Sequence, residues 1–259
     1  LNLKNEGKSL ANCSDEDLKE FLDQIISIAL DYSIVDLPGL MDTESFLAAE
    51  KILGIAGNNV FSILYKYLDE ARKEPADLLP SLFENKFSGL KIKGLNSETR
   101  KIPYEIKIRG IIDRIDINEE DECYKIIDYK SGGSDYPEPE IRNGHKLQIP
   151  IYLMATVKNK VTDLPKHHLY LHPAIFSLKY HEKEFGKKDL TYPKGGVDNH
   201  ETAKSKWDDL LTVSEEFIQK YVLSMLHGEF PLSKDISAKK PPCTWCNLDA
   251  LCRVKDYNG

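Results

Sequence analysis

Gly110-Ile111-Ile112-Asp113-Arg114-Ile115-Asp116 and, after an acidic interval, Ile126-Ile127-Asp128-Tyr129-Lys130 are the strings whose reading decides the fold. Each runs apolar and β-branched and then places an acid at its polar end, as a strand leaving a core does. Glu119-Glu120-Asp121-Glu122 between them reads as a solvated turn, which makes the two strands hairpin neighbours. Asp113 and Asp128 then fall side by side across the ladder. Two carboxylates that close repel each other at a cost of several kcal/mol in a low dielectric, unless a cation lies between them. A hard, oxygen-seeking ion such as Mg²⁺ or Mn²⁺ meets that requirement. Lys130 follows Asp128 by two positions and so shares its strand face. There its ammonium can orient an attacking water or neutralise developing negative charge. Taken alone, an Asp-x-Lys on a strand is more often a surface ion pair. The surrounding arrangement decides between the two.

Outward from these strings the period of the sequence changes. Phe87 to Ile92, Tyr104 to Ile117 and Cys123 to Tyr129 alternate as strands do. Upstream, Ser14 followed by Asp15-Glu16-Asp17 is an N-cap with acids in the first turn. Leu18, Phe21, Leu22, Ile25, Ile26 and Ala29 follow at helical spacing. A second helical stretch is capped by Asp42 or Thr43 and runs towards Leu53; a third runs from about Asn58 to Arg72. Pro75 and Pro80 end this region. Downstream, Ser131-Gly132-Gly133-Ser134 closes the hairpin and a Pro-rich loop runs through Pro139. A helix follows from about Gly144 to Asn159, then one or two strands within 167–185, then a long helix from about Glu201 to His227. Helices, a mixed sheet and helices again indicate an α/β or α+β core. The expected division is a helical region over 1–80, a core over 81–230 and a cysteine-bearing tail over 231–259.

Composition narrows the classes. The chain has 259 residues, 41% apolar and 30% charged, the balance of a globular protein with a sizeable core. It contains no apolar run of about 18 residues, which excludes a transmembrane helix. Leu1-Asn2-Leu3-Lys4 lacks signal-peptide architecture and an initiator Met, the mark of a fragment or a processed chain. A net charge of −7 argues against a broad basic face that coats nucleic acid, but not against a local channel. Residues 158–188 carry seven lysines against three acids, read as a solvated face. His167, His168 and His172 have no acid near them in the chain and read as exposed or core histidines. The five cysteines, with Cys243, Cys246 and Cys252 packed into a C-x2-C-x5-C string, suit metal chemistry in a reducing compartment and hence the cytoplasm. Thiolates at these spacings suit a 4Fe–4S cluster or Zn²⁺.

Taken together, the G-x-x-D strand, the acidic turn, the run into Asp128-Tyr129-Lys130 and the helix bearing Gln148 and Tyr152 resemble a known family. That family is the PD-(D/E)XK nuclease domain of the AddB/RecB type, found in bacterial helicase–nucleases that process DNA ends. Its pattern is a G-x-I-D-R-I-D strand, an I-D-Y-K strand and a helix opening L-Q-x-x-x-Y. The resemblance covers roughly residues 80–155 and 225–255, and it implies a restriction-endonuclease-like mixed sheet flanked by helices. It makes Asp113 and Asp128 metal ligands, the Tyr129 carbonyl a further ligand and Lys130 the catalytic lysine. Gln148 and Tyr152, four apart on one helix face, would flank the site, with Gln148 in catalysis and Tyr152 against DNA. Glu84 matches an E-x-x-F lead-in to the first strand, as a metal-site acid or as a partner for a nearby basic group. Arg114 would be either structural or a distant contact to DNA phosphate, since alternation turns it from Asp113.

The resemblance extends to the tail. Gly228-Glu229-Phe230-Pro231 precedes Cys243, Cys246 and Cys252, which in the family hold a 4Fe–4S cluster with a fourth, upstream cysteine. Cys13 and Cys123 are the upstream candidates, and an empty site is the alternative. Family members also place a metal-ligating His on an upstream helix in a G-x-x-x-H setting. Here the comparable Gly57-Asn58-Asn59-Val60-Phe61 has Phe61 in that place, and the first His in the chain is His145. The implied activity is metal-dependent exonucleolytic hydrolysis of single-stranded DNA delivered by a helicase partner, in DNA end processing and recombinational repair. No G-x-x-x-x-G-K-[ST] loop is present in the chain, so an ATP-driven motor would be a separate element. The rival is a nuclease-like module of a repair complex that binds DNA with little or no catalysis.

Overall fold

The computed structural model describes residues 13–36, 47, 50–54, 62–74, 77–95, 103–132, 135–179, 185–192 and 196–229. The expected helix towards Leu53 and the Gly57–Phe61 setting fall largely or wholly outside these residues, as do Cys243, Cys246 and Cys252. In chain order the elements are α1 (Asp15–Asp36), α2 (Ile63–Ala71), β1 (Leu79–Leu95), β2 (Pro103–Asn118) and β3 (Cys123–Lys130). Then come α3 (Glu138–Arg142), α4 (Gln148–Val157), β4 (Leu169–Tyr170), β5 (Ala174–Ser177), β6 (Gly186–Asp189) and α5 (His200–Leu226). The six strands form one mixed sheet in the order β1-β2-β3-β5-β6, with β4 pairing β3 off that path. β1, β2 and β3 are antiparallel neighbours, β5 lies parallel to β3, and β6 returns antiparallel to β5. A parallel pair needs a crossover, and the α3–α4 segment supplies it. The chain therefore has the mixed α/β, restriction-endonuclease-like architecture expected from its sequence.

Two faces of the sheet are covered by different helices. On one, α4 buries Ile149, Tyr152, Leu153, Met154 and Ala155, and α5 buries Ala203, Trp207, Leu210, Ile218 and Val222. These pack with Ile112, Ile115, Ile117, Tyr124 and Ile126 into the main core. On the other, Ile127, Ala174 and Phe176 form a smaller cluster with Tyr67 of α2 and Tyr129. α1 rests on α2 through Leu18, Leu22 and Leu68. Ser14 caps α1 as expected, accepting the Asp17 N–H at 3.1 Å. Gly110 needs its missing side chain, because a Cβ there would meet the Phe87 ring at 2.7 Å.

Four local readings need correction. Pro80 does not close the helical region; it lies in β1, opposite Asp116. The Pro-rich loop contains a helix, α3, because Pro137 and Pro139 sit at its start, where a missing N–H costs nothing. The following helix starts at Gln148 instead of Gly144, whose φ of 75° is left-handed. The histidines also have acidic partners after all: His168 Nε2 lies 3.1 Å from Glu119, and His167 3.6 Å from Glu122. These acids come from the β2–β3 turn, a proximity invisible in the local sequence. His168 and His172 are buried, and among the described residues no three His, Cys, Asp or Glu side chains group as a metal site.

Candidate active site

β2 and β3 are in register at Arg114 opposite Ile127 and Ile115 opposite Ile126, and the next pair in that register is Asp113 and Asp128. Asp113 Oδ2 accepts the Tyr129 N–H at 2.9 Å, which ties its carboxylate to the neighbouring strand. The β1 register places Glu84 beside the same point, between Phe83 opposite Arg114 and Asn85 opposite Ile112. The alternation of the sheet slips here: Ile112 and Ile115 both enter the core, and Glu84 has a φ of 47°. Such irregularities re-aim side chains beside functional sites. Glu84 itself is exposed, with no ion pair among the described residues.

Asp128 is fully buried at 0% exposure. Lys130 Nζ lies 2.6 Å from its Oδ2, and Gln148 Nε2 donates to its Oδ1 at 2.8 Å. Lys130 Nζ also donates to Gln148 Oε1 at 2.6 Å, closing a ring of three side chains. The ring fixes the amide's orientation: an ammonium only donates and a carboxylate only accepts. Gln148 Nε2 reaches the Tyr152 hydroxyl at 2.9 Å, one helical turn on. Burial raises the Asp128 carboxyl above the usual carboxylate range, with Asp113 adding to this and Lys130 opposing it. Burial likewise raises the Tyr152 phenol, with further contributions from Asp113, Asp128 and Glu84.

The Asp128 Oδ2 atom is buried and has no aligned hydrogen-bond donor, although the Lys130 ammonium lies beside it. A buried carboxylate oxygen without such a donor, next to a second carboxylate, is a donor set that suits a hard divalent cation. The fold therefore brings Asp113, Asp128, Lys130, Gln148 and Tyr152 to one place. Tyr152 is buried at 8% exposure with its ring edge-on to Phe87, so its side chain forms the floor of this place more than its surface.

Arg114 lies on the opposite face and is fully buried. Its guanidinium donates to Asp116 from Nη2 at 2.7 Å, to Glu74 at 2.9 Å and to the Tyr67 hydroxyl at 3.1 Å. Tyr67 and Tyr129 share a hydroxyl contact of 2.9 Å. Of the two readings of Arg114, its burial supports the structural one. Two contributors escaped the sequence reading. Tyr136 accepts the Ile149 N–H at 3.1 Å and donates to the Lys146 carbonyl at 2.9 Å, so a loop tyrosine sets the start of α4. Tyr67 of α2 and Glu74 of the turn after it approach β2 and β3 from a distant segment, and no local motif announces that.

A family model described as the PD-(D/E)XK nuclease superfamily matches residues 38–253. Similar proteins include an ATP-dependent helicase/deoxyribonuclease subunit of Clostridium tetani, 28% identical over 304 aligned residues, covering 96% of this chain and 25% of that protein. The corresponding protein of Lachnoclostridium phytofermentans is 38% identical over 71 residues, 27% of this chain and 6% of its own length. That of Clostridium acetobutylicum is 24% identical over 194 residues, 58% of this chain and 17% of its own length. The chain thus spans a quarter or less of each of these relatives.

Proposed function

The chain belongs to the PD-(D/E)XK nuclease superfamily, and from that premise we propose that it is a metal-dependent deoxyribonuclease domain that hydrolyses phosphodiester bonds exonucleolytically in single-stranded DNA. The observation behind this reading is the closed ring of Asp128, Lys130 and Gln148 beside Asp113. Asp113, Asp128 and the Tyr129 carbonyl would hold Mg²⁺ or Mn²⁺. When bound, such an ion supplies Lewis-acid polarisation of the scissile phosphate and a lowered pKa for the attacking water. Lys130, steadied by Gln148, keeps an ammonium where negative charge develops on the phosphate and can orient the water for in-line attack. Tyr152 in turn holds the Gln148 amide in place.

The names of the relatives support a helicase-associated deoxyribonuclease with a helicase partner, and the proposal extends this to DNA end processing and repair in the cytoplasm. Among the described residues no helix is long and apolar enough to cross a membrane. In this proposal residues 81–230 are the nuclease core, 1–80 a helical N-terminal region and 231–259 a cysteine-bearing tail packed on the core. The tail would hold a 4Fe–4S cluster through Cys243, Cys246 and Cys252, an assignment supported by their spacing. The test of the catalytic assignment is cleavage of end-labelled single-stranded DNA by Lys130→Ala. Its turnover should fall by about 100-fold or more, as for loss of an oxyanion-stabilising donor, with Mn²⁺ affinity retained. Turnover equal to that of the wild type would remove Lys130 from the reaction.

A further inference from the structure

β2 pairs with β3 only over Arg114–Asn118, whereas it pairs with β1 as far as Leu95 opposite Pro103. Residues 85–95 and 103–112 thus form a two-stranded arm that extends beyond the rest of the sheet. One face of the arm lies on α5. Leu90 and Ile92 are buried there, Tyr104 donates to the Gln219 carbonyl at 3.1 Å, and Gln219 donates to the Lys93 carbonyl at 2.8 Å.

The other face alternates with this one and is exposed: Lys91 and Lys93 on β1, and Glu105, Lys107, Arg109 and Ile111 on β2, with Lys86 opposite Ile111. Lys91 stands directly opposite Lys107. Like charges across a ladder destabilise it, and an acid at either position would relieve this. Glu105 is shared between Lys91 at 3.2 Å and Lys93 at 3.9 Å. Lys86, Lys107 and Arg109 have no ion pair among the described residues. The face thus sets these five cations against a single acid, on a chain whose net charge is −7. Along β2 it reaches Ile111, two residues from Asp113, on the side of the sheet turned away from α4 and α5. At about 3.3 Å per residue, Arg109 is ~13 Å and Lys107 ~20 Å along β2 from that aspartate. Phe83, 57% exposed beside the kink, offers a ring on which a base can stack.

We propose that this outer face of the β1–β2 arm is a track for the backbone of single-stranded nucleic acid, on the side of the sheet away from α4. The proposal rests on the nuclease reading for the kind of ligand, but the binding itself is separable. Spaced cations along a strand pair match a repeating line of phosphates. A solvated face needs no like-charged pair.

The test is binding of a fluorescein-labelled oligothymidylate, read by anisotropy across a NaCl series in EDTA, so that no cleavage is required. The variant combines Lys86→Gln, Lys107→Gln and Arg109→Gln, all exposed and unpaired, with folding checked by circular dichroism. Loss of three phosphate contacts should lower the slope of log affinity against log salt by about 2 and weaken binding at low salt at least tenfold. An unchanged slope and affinity would overturn the proposal, and leave an acidic protein as the face's partner. Absence of measurable wild-type binding would overturn it as well. A reduced slope in a chain that never cleaves DNA would sustain the track while the nuclease reading fell.

Discussion

Replacing Arg114 with Ala separates a structural from a DNA-contacting arginine. Both Arg114 and Asp116 have 0% exposure, and the guanidinium bridges Asp116, Glu74 and Tyr67. Its removal leaves the Asp116 carboxylate buried without its principal donor. Breaking a buried pair from one side costs about 3–5 kcal/mol. For a chain of this size that corresponds to a fall in Tm of roughly 6–20 °C. The pH dependence follows from Asp116. Burial raises its carboxyl, and Arg114 opposes the rise. Without Arg114 the folded-state value moves further up. A carboxyl raised in the folded state binds a proton more tightly there than in the unfolded chain. Its contribution to stability is therefore present in acid and lost as pH rises through the raised folded value. The deficit of Arg114→Ala relative to wild type should thus be full at about pH 7 and smaller near about pH 4.5. Urea unfolding followed by circular dichroism at both pH values measures this. Arg114→Met combined with Asp116→Leu should recover most of the loss, because a buried ion pair replaced by apolar groups is often neutral. A deficit below about 1 kcal/mol, or one that does not depend on pH, would refute the reasoning. Weakened DNA binding at unchanged stability would return Arg114 to the phosphate role.

Two further outcomes follow from the same geometry. Gln148→Ala removes the amide that bonds both Lys130 and Asp128, and cleavage should fall about 10–100-fold, the usual loss for a residue that orients a metal ligand; steady-state kinetics in Mn²⁺ will show it chiefly in kcat. Glu84→Gly relieves a left-handed backbone, whose cost of about 1–2 kcal/mol exceeds the extra chain entropy of glycine. The urea midpoint should rise, and a lower midpoint would show that the Glu84 side chain stabilises the fold.

How much of this was legible in the sequence depended on how local the cause was. The alternation in Ile126-Ile127-Asp128-Tyr129-Lys130 and the acidic turn before it dictated a hairpin, and the hairpin placed Asp113 beside Asp128. Gln148 and Tyr152 were legible because helical spacing puts residues four apart on one face. The slip in alternation at Asp113 was not, because it arises from two strands jointly and shows in the sequence only as a polar residue at position 84. The α3 helix was hidden behind Pro137 and Pro139, since prolines that break a helix interior are equally at home in its first turn. The network behind the site escaped for a tertiary reason: Tyr67 of α2 and Glu74 of the turn after it reach Arg114 from some forty residues upstream. The acids that meet His167 and His168 also come from across the sheet.

The most direct test of the central claim is cleavage of end-labelled single-stranded DNA in Mg²⁺ or Mn²⁺ by this chain and by Asp128→Ala prepared identically. The account predicts metal-dependent cleavage by the wild type that is lost in the variant. Equal cleavage by both proteins, or none by the wild type in either metal while it remains folded, would contradict it.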